Sequence, residues 1–456
     1  MADMLSIILA AGKGTRMKSD KIKVLHKVAG KEIIRHVIST LDDLSTEIVN
    51  VVGHQKEEVK AELKDINNNQ LEYVVQEEQL GTGHAVQQAS EYINKHSGPV
   101  LILYGDTPLL RKETVSEFID VHKDNNSDLT VMTAVFSDPE GYGRIVKDDT
   151  GDLIAIIEEK DADTEVKEIQ EINSGVYCVD SDLLSSFLEN MDNDNAQGEY
   201  YLTDLIAFAV DRDKNINTYT VFDSDEIIGI NTRRQQAEAE KILRERIIDK
   251  HFENGVTIID PNNTYIDSEV EIGQDTVIYP FCYLEGETKI GENTVINPHC
   301  RLQNAEIAPN VEILANTIIR DSKIGENTKV GPFAYLRPGS EVADNCKIGD
   351  FVELKKAKVK SGAKVPHLCY AGDAEIGERT NIGAGTIFAN YDGVNKHKTK
   401  LGKDVFIGSD SILIAPLKIG DNAKTAAGAV VTKDVEEGQT VMGVPARVYE
   451  ESSKGE

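Results

Sequence analysis

Positive charge is in deficit in this sequence: 49 Lys and Arg stand against 78 Asp and Glu, a formal charge of −29 over 456 residues. Nucleic acids and anionic membranes bind through many cationic contacts, so neither is expected as a partner; a local basic pocket for a small anion is still compatible with this balance. Cysteine is scarce too. Cys178, Cys282, Cys300, Cys346 and Cys369 are widely spaced and form no CxxC pair, which argues for reduced core thiols over a disulfide framework or zinc site. No run approaches the roughly 20 apolar residues of a membrane span. The one candidate signal core, residues 4–11, is short, follows Asp3 instead of a basic segment, and lacks a cleavage-like site. The expected compartment is the cytoplasm.

Two common phosphate-loop patterns are missing as well. In "LAAGKGTRMKSDKIKVLHKVAGK" (9–31), Gly12 and Gly14 lead into Thr15 and Arg16, with no Lys-Ser/Thr at the spacing that GxxxxGK[ST] requires. Met17 stands where GxGxxG needs its third glycine. What is present is an apolar run ending in a glycine-rich, locally basic loop. Gly12 and Gly14 let backbone N–H groups approach phosphate oxygens, while Arg16 and Lys23 supply charge. The same residues also suit a strand-to-helix turn with solvated cations.

With 40% apolar and 28% charged residues, the chain reads as globular, with two or three domains. Up to about residue 230, apolar runs at 6–11, 48–52, 73–75, 100–104, 130–136 and 175–179 alternate with helical patterns at 32–44, 56–66, 83–93 and 201–210. This β-α-β-α order predicts a doubly wound, mostly parallel α/β sheet, with ligands at the carboxyl ends of its strands. The glycine-rich loop sits at such an end. So does Asp106, closing "PVLILYGD", although an Asp there also suits a helix cap, as does Asn231 farther on. The stretch "TRRQQAEAEKILRERIIDKHF" (232–252) has no Gly or Pro and predicts a joining helix. The expected divisions are 1–230, a linker helix at 231–252, and 253–456.

Beyond the helix the period changes. Ile272, Ile278, Leu284, Ile290, Ile296 and Leu302 are spaced by six. The register slips and resumes at Ile318, Ile324, Val330, Leu336, Val342, Ile348 and Leu354, again at Tyr370, Ile376, Ile382 and Phe388, and again at Leu401, Ile407, Leu413 and Ile419. Six is neither the strand period nor the helical one. It predicts a β-solenoid whose turns point aliphatic residues inward and meet at corners.

This [LIV]-G-x-x-x-x pattern resembles the left-handed parallel β-helix of hexapeptide-repeat acyltransferases, whose handedness runs against the usual rule for parallel crossovers. In the first half, "LAAGKGTRM", "KVLHKVAGK", "EEQLGTGHA", "LYGDTPLL", "GYGRIV", "IIEEKDA", "EINSGVY" and "NAQGEYYLTD" follow in the order seen in sugar-phosphate nucleotidyltransferases. Over nearly its whole length the chain resembles the bacterial bifunctional N-acetylglucosamine-1-phosphate uridylyltransferase/glucosamine-1-phosphate N-acetyltransferases.

The resemblance implies a first site joining UTP and N-acetylglucosamine 1-phosphate into UDP-N-acetylglucosamine and pyrophosphate. There Arg16 and Lys23 would hold nucleotide phosphates, Leu9, Ala10, Ala11 and Gly12 would line the nucleotide pocket, and Gln76, Gly81 and Thr82 would read the uracil. Asp106 and Asn231 would hold Mg²⁺, flanked by Tyr104 and Gly105. Gly143, Glu158 and Asn173 would contact the sugar. Ile22 stands where the family more often has proline, a departure expected to loosen the loop.

It implies a second site moving acetyl from acetyl-CoA to glucosamine 1-phosphate. An ammonium is not nucleophilic, so a base is needed, and His367 matches the family's histidine, with Glu353 stabilising the imidazolium. On its own a solenoid histidine suits a surface corner equally. Arg337 and Lys355 would bind the sugar phosphate, and Tyr370, Asn381 and Asn390 the amino sugar, with Asn390 and Tyr391 near the acetyl group. Ala384, Ser409 and Ala427 would line the CoA groove. Lys396 lies in "NYDGVNKHKT", an insertion expected to cover a neighbouring subunit's site in a homotrimer. The family's terminal CoA-binding arginine aligns with Val444; Arg447 is three residues on, roughly 10 Å of extended chain. A nucleotidyltransferase with a purely oligomerising β-helix is the competing enzymatic reading, and it leaves His367 and Glu353 without a purpose. A non-catalytic assembly subunit should have lost Arg16, Lys23 or Asp106, which are all present.

Overall fold

The segment "LSIILA" is buried along its whole length and forms the strand Leu5–Ala10. Ile8 and Ala10 face one apolar core, and Leu5, Ile7 and Leu9 face another, the period-2 division of a strand covered on both faces. In this computed structural model residues 4–53, 55–66 and 71–449 are described. The chain forms two compact units, Met1–Leu243 and Arg244–Glu456.

In the first unit the sheet order is Ile216–Thr220, Leu129–Val135, Glu171–Asp180, Pro99–Tyr104, Leu5–Ala10, Glu47–Val52, Leu71–Val75. All neighbours are parallel except Glu171–Asp180, which is antiparallel to both of its flanking strands. Leu5–Ala10 lies between Glu47–Val52 and Pro99–Tyr104, so the crevice beyond the ends of the first and fourth strands is a topological switch point. The helix expected over 83–93 is broken into Thr82–Gln87 and Ser90–Ile93. Helices Lys112–Asp124 and Ser181–Asn190 and the hairpin Arg144–Lys147/Leu153–Ile157 were not legible as separate elements. The joining helix runs over Arg233–Glu253.

The second unit is a three-sided parallel β-helix. Its first face has 12 strands, its second 10 and its third 9. Inward ladders run through Ile278, Ile296 and Ile313 on the first face, Leu284, Leu302 and Ile319 on the second, and Ile290, Ile307 and Ile324 on the third. Two residues of the sixfold reading are corrected. Ile318 is 40% exposed while Ile319 is fully buried, and Tyr370 faces out while Ala371 fills the core. The slips are five-residue steps, Leu302 to Ile307, Ile319 to Ile324, Leu354 to Val359 and Ala371 to Ile376. All fall at the corner from second to third face, and the long insertion between Phe388 and Leu401 falls there as well. A corner can lose a residue. A strand cannot, because a one-residue slip would turn its inward side chains outward.

The outer surfaces differ. The third face carries a ladder of Glu271–Lys289, Glu306–Lys323, Glu341–Lys358 and Glu375–Lys400 ion pairs at 2.7–3.3 Å. The corner from first to second face presents Phe281, His299, Phe333, Phe351 and Leu368 in the left-handed region. Phe281 stacks on His299 at 5.0 Å and Phe333 on Phe351 at 5.2 Å, and Phe333, Phe351 and Leu368 are 50–62% exposed. Among the described residues no helix is long and apolar enough to cross a membrane.

Candidate active sites

A cavity of about 540 Å³ opens at the switch point of the first unit. Its wall includes Leu9, Ala10, Ala11, Gly12, Arg16, Lys23, Gln76, Gly81, Thr82, Tyr104, Asp106, Gly143, Glu158, Asn173 and Asn231, and so gathers the expected residues with one exception. Gly105 lies outside it. Its N–H donates to Leu9 O at 2.9 Å, and a Cβ there would press on Ala10 at 3.1 Å, so this glycine serves the packing of the two strand ends.

Lys23 Nζ pairs with Asp106 and donates to Asn231 Oδ1 at 3.0 Å. A carboxylate and an amide oxygen more than a hundred residues apart therefore converge on one positive centre, which is the fit an oxygen-ligated Mg²⁺ needs, with phosphates and water completing its shell. Among the described residues no cluster of three or more His, Cys, Asp or Glu could hold a metal. Ile22 adopts φ −55°, ψ 135° and is buried; that φ is within the range proline would impose, so the backbone keeps a path that proline could also take.

Gln76 is buried, and its Nε2 donates to Gly81 O at 3.0 Å. Gly81 is held at φ +116° against the backbone of Tyr200, and Thr82 Oγ1 accepts from Leu202 N at 3.0 Å. "QLGTG" and "GEYYLTD" thus form one wall. At the other end Thr203 Oγ1 donates to Glu158 at 3.3 Å; burial chiefly, aided by the nearby Asp161, Asp204 and Glu199 carboxylates, raises the Glu158 pKa above the usual range. Asn173 Nδ2 donates to Tyr177 OH at 2.7 Å and its Oδ1 accepts from Gly175 N at 2.9 Å. Burial pushes the Tyr104 hydroxyl well above its ordinary range. Gln79, Tyr142, Glu199, Gly229 and Gln235 also line the cavity. Gln79, Tyr142 and Glu199 lie within the motifs "EEQLGTGHA", "GYGRIV" and "NAQGEYYLTD". Gln235 had no sequence signal, because the joining helix delivers it from outside the sheet.

In the second unit, Arg337, Glu353, Lys355 and Tyr370 stand on adjacent rungs of the second face. Lys396, brought back by the insertion, is the main reason that the Lys355 ammonium titrates below its usual range; burial and Arg337 act in the same direction and Asp373 opposes them. Three cations gathered this way have the charge to hold an anion, although Arg337 is also paired with Glu353. The insertion is tied by Asp392, which accepts from Val394 N, Asn395 N and His397 Nε2 at 2.7–2.8 Å and so titrates far below the usual range. Asn390 is buried and donates to Asp373 Oδ2 at 2.6 Å; it and the Tyr370 hydroxyl both border Gly372. Tyr391 is 59% exposed on the insertion.

Glu353, expected beside the His367 ring, has another partner in this chain. It is paired with Arg337 at 2.8 Å, and His367 Nδ1 meets Asp350 Oδ1 at 2.5 Å. The cause is register: the strand Lys347–Asp350 sets Asp350 directly beside His367, one face before Glu353. Down the same corner the amides of Gly385, Asp410 and Gly428 donate to the carbonyls of His367, Ala384 and Ser409. His367, Ala384, Ser409 and Ala427 therefore form one column over successive turns. Asn381 lies on the first face, away from Arg337, Lys355 and Tyr370 on the second. Arg447 is exposed in a terminal hairpin opposite Met442, so the chain reverses before it and the extended-chain estimate does not apply.

Residues 5–245 match the nucleotidyl transferase family, residues 261–359 a GMPPB C-terminal domain, and residues 398–433 the bacterial transferase hexapeptide repeat. The chain is 48% identical to the bifunctional protein GlmU of Acetivibrio thermocellus over 96% of its own length and 94% of that protein's. It is 49% identical to the protein of that name from Staphylococcus epidermidis over 98% of both chains, and 47% identical to the one from Brevibacillus brevis over 95% and 94%.

Proposed function

This chain belongs to the GlmU family of bifunctional proteins, and from that premise we propose how its two units divide the synthesis of UDP-N-acetylglucosamine. The enzyme transfers acetyl from acetyl-CoA to glucosamine 1-phosphate, then uridylyl from UTP to the N-acetylglucosamine 1-phosphate formed, releasing pyrophosphate. The product is a precursor of bacterial cell-wall polysaccharide.

We assign uridylyl transfer to residues 1–230 with the start of the joining helix. The observation that carries this is the convergence of the glycine-rich loop, Arg16, Lys23, Asp106 and Asn231 on one cavity. A sugar-phosphate oxygen attacks the α-phosphorus in line while the bond to pyrophosphate breaks, so the protein's task is positioning and charge neutralisation. The amides around Gly12, with Arg16 and Lys23, hold phosphate oxygens. Asp106 and Asn231 would hold Mg²⁺, which when bound neutralises phosphate charge. Gln76, Gly81 and Thr82 read the uracil, and Gly143, Glu158 and Asn173 the sugar.

We assign acetyl transfer to residues 253–456. His367 takes a proton from the ammonium, the amine attacks the thioester carbonyl, and the C–S bond to CoA breaks. Arg337, Lys355 and Lys396 hold the phosphate, Tyr370, Asn381 and Asn390 the amino sugar, and the Ala384–Ser409–Ala427 column, Tyr391 and Arg447 the CoA. With Asn381 and Arg337 on different faces of one chain, the site is completed between copies in a homotrimer. The aromatic corner suits the interface, and the charge-laddered third face suits solvent. Cytoplasmic action fits the five free, buried cysteines.

The purified protein with glucosamine 1-phosphate, acetyl-CoA, UTP and Mg²⁺ should yield UDP-N-acetylglucosamine only when all four are present. His367→Ala should cut acetyl transfer about 10²- to 10⁴-fold and spare uridylyl transfer. Product formed without acetyl-CoA, or native acetyl transfer by His367→Ala, would overturn the assignment.

A further inference from the structure

The reading of His367 as the acetyl-transfer base leaves its second ring nitrogen to be explained, and the inference rests on that reading. Asp350 and His367 are paired rungs of the first face. The main chain is pinned between them, Leu368 N donating to Asp350 O at 3.0 Å. The carboxylate meets Nδ1 at 2.5 Å, and His367 is the largest cause holding the Asp350 pKa below the usual carboxylate range. Among the described residues Asp350 is the carboxylate within ion-pair distance of His367, and Glu353 is turned to Arg337. The two side chains are 36% and 52% exposed, so the pair adds little to stability. It does fix chemistry. Nδ1–H donated to the carboxylate leaves the lone pair on Nε2.

We propose that Asp350 is a positioning residue for acetyl transfer, holding the His367 ring in the orientation and tautomer in which Nε2 is the base. The substrate ammonium gives its proton to Nε2. The freed amine forms the N–C bond to the thioester carbonyl, and the C–S bond breaks with its electron pair on sulfur. The proton held on Nε2 then neutralises the thiolate, and the second proton that the new amide nitrogen sheds passes to solvent, so ammonium and thioester yield amide, thiol and one released proton. Asp350 keeps its charge throughout, balancing the transient imidazolium. Because a β-ladder and not a loop sets the contact, the geometry is built before substrate arrives.

The test measures acetyl-transfer kinetics of the full-length enzyme carrying Asp350→Asn or Asp350→Glu, in the native and His367→Ala backgrounds, with uridylyl transfer as the folding control. Asp350→Asn should lower kcat at least tenfold while the KM values for acetyl-CoA and glucosamine 1-phosphate stay within about twofold. Asp350→Glu, which keeps the charge, should recover part of that loss. With His367→Ala already present, Asp350→Asn should cost nothing further, because a residue acting through another has no effect once that one is gone. A native kcat in Asp350→Asn, or the same loss in both backgrounds, overturns the inference and leaves the His367 assignment standing. Native rates in His367→Ala would remove both.

Discussion

Gly12 and Gly14 look equivalent in the sequence, and they are glycine for different reasons. Gly14 sits at φ +59°, and a Cβ there would come within 2.7 Å of Lys23 Cβ, so the fold demands it. A Cβ on Gly12 would meet no protein atom within 4 Å; it would stand in the cavity. Gly14→Ala should therefore lower thermal stability, at about 1–2 kcal/mol for the left-handed backbone alone. Gly12→Ala should leave the melting temperature unchanged and raise the KM for UTP tenfold or more. Unaltered UTP kinetics in Gly12→Ala would remove the loop from the nucleotide site. Glu158 gives a pH-dependent counterpart. Its pKa is raised in the folded state, so at neutral pH its ionised form opposes folding, and that penalty fades as pH falls through the folded pKa toward the ordinary 4.5. Glu158→Gln should be more stable than the native protein at pH 8, with the gap closing on acidification. Parallel melting curves across that range would contradict the burial that raises the group.

The elements of the β-helix were legible because an inward aliphatic residue every six positions has no other common cause. Their exact phase was not. Ile318 and Ile319 are both aliphatic, and only stacking on Leu302 and Leu336 selects Ile319 for the core. Beyond the first turn, where the corner from Ile258 to Ile266 spans eight residues, all variation in step length is confined to the corner between second and third faces. A glycine inserted between Gln303 and Asn304, where the step is short, should cost little in thermal denaturation. The same insertion between Tyr279 and Pro280, at a corner that never varies between Ile278 and Leu284 or their successors, should lower the melting temperature far more. Equal losses at both corners would show that the shared corner carries no special tolerance.

At the scale of the whole molecule, the joining helix belongs to both units. In its first half Ala239 packs with Met17, Val28, Ile33, Leu109 and Ile230, Glu240 accepts from Ala29 N at 2.7 Å, and Gln236 donates to Lys27 O at 2.8 Å. In its second half Ile247 and Ile248 join the β-helix core. A fragment of residues 1–229 loses Asn231 and this packing, and should be unstable and inactive. A fragment ending at Lys250 should fold and keep uridylyl transfer, while acetyl transfer should be absent from both. A folded but inactive longer fragment would show that the first site needs more than its own unit.

The residues expected in the first site's wall came from the family that the ordered motifs resemble, whereas the sequence alone determined what local pattern can encode: the alternating half, the sixfold half and the glycine-rich loop at a strand end. Each of these depends on neighbours a few residues apart or on a strand-end position that any open α/β sheet shares. Tertiary structure decided the pairings across turns. Asp350 stands opposite His367, and Glu353 opposite Tyr335 and diagonal to Arg337, because turns of mostly 17 or 18 residues accumulate into a register that shifts partners by one whenever a corner is shortened. Lys23, Asp106 and Asn231 meet for a similar reason: three separate chain segments reach one sheet end only after the sheet order is set. A contact between distant segments is fixed by the sum of every step between them, and no single stretch of sequence carries that sum.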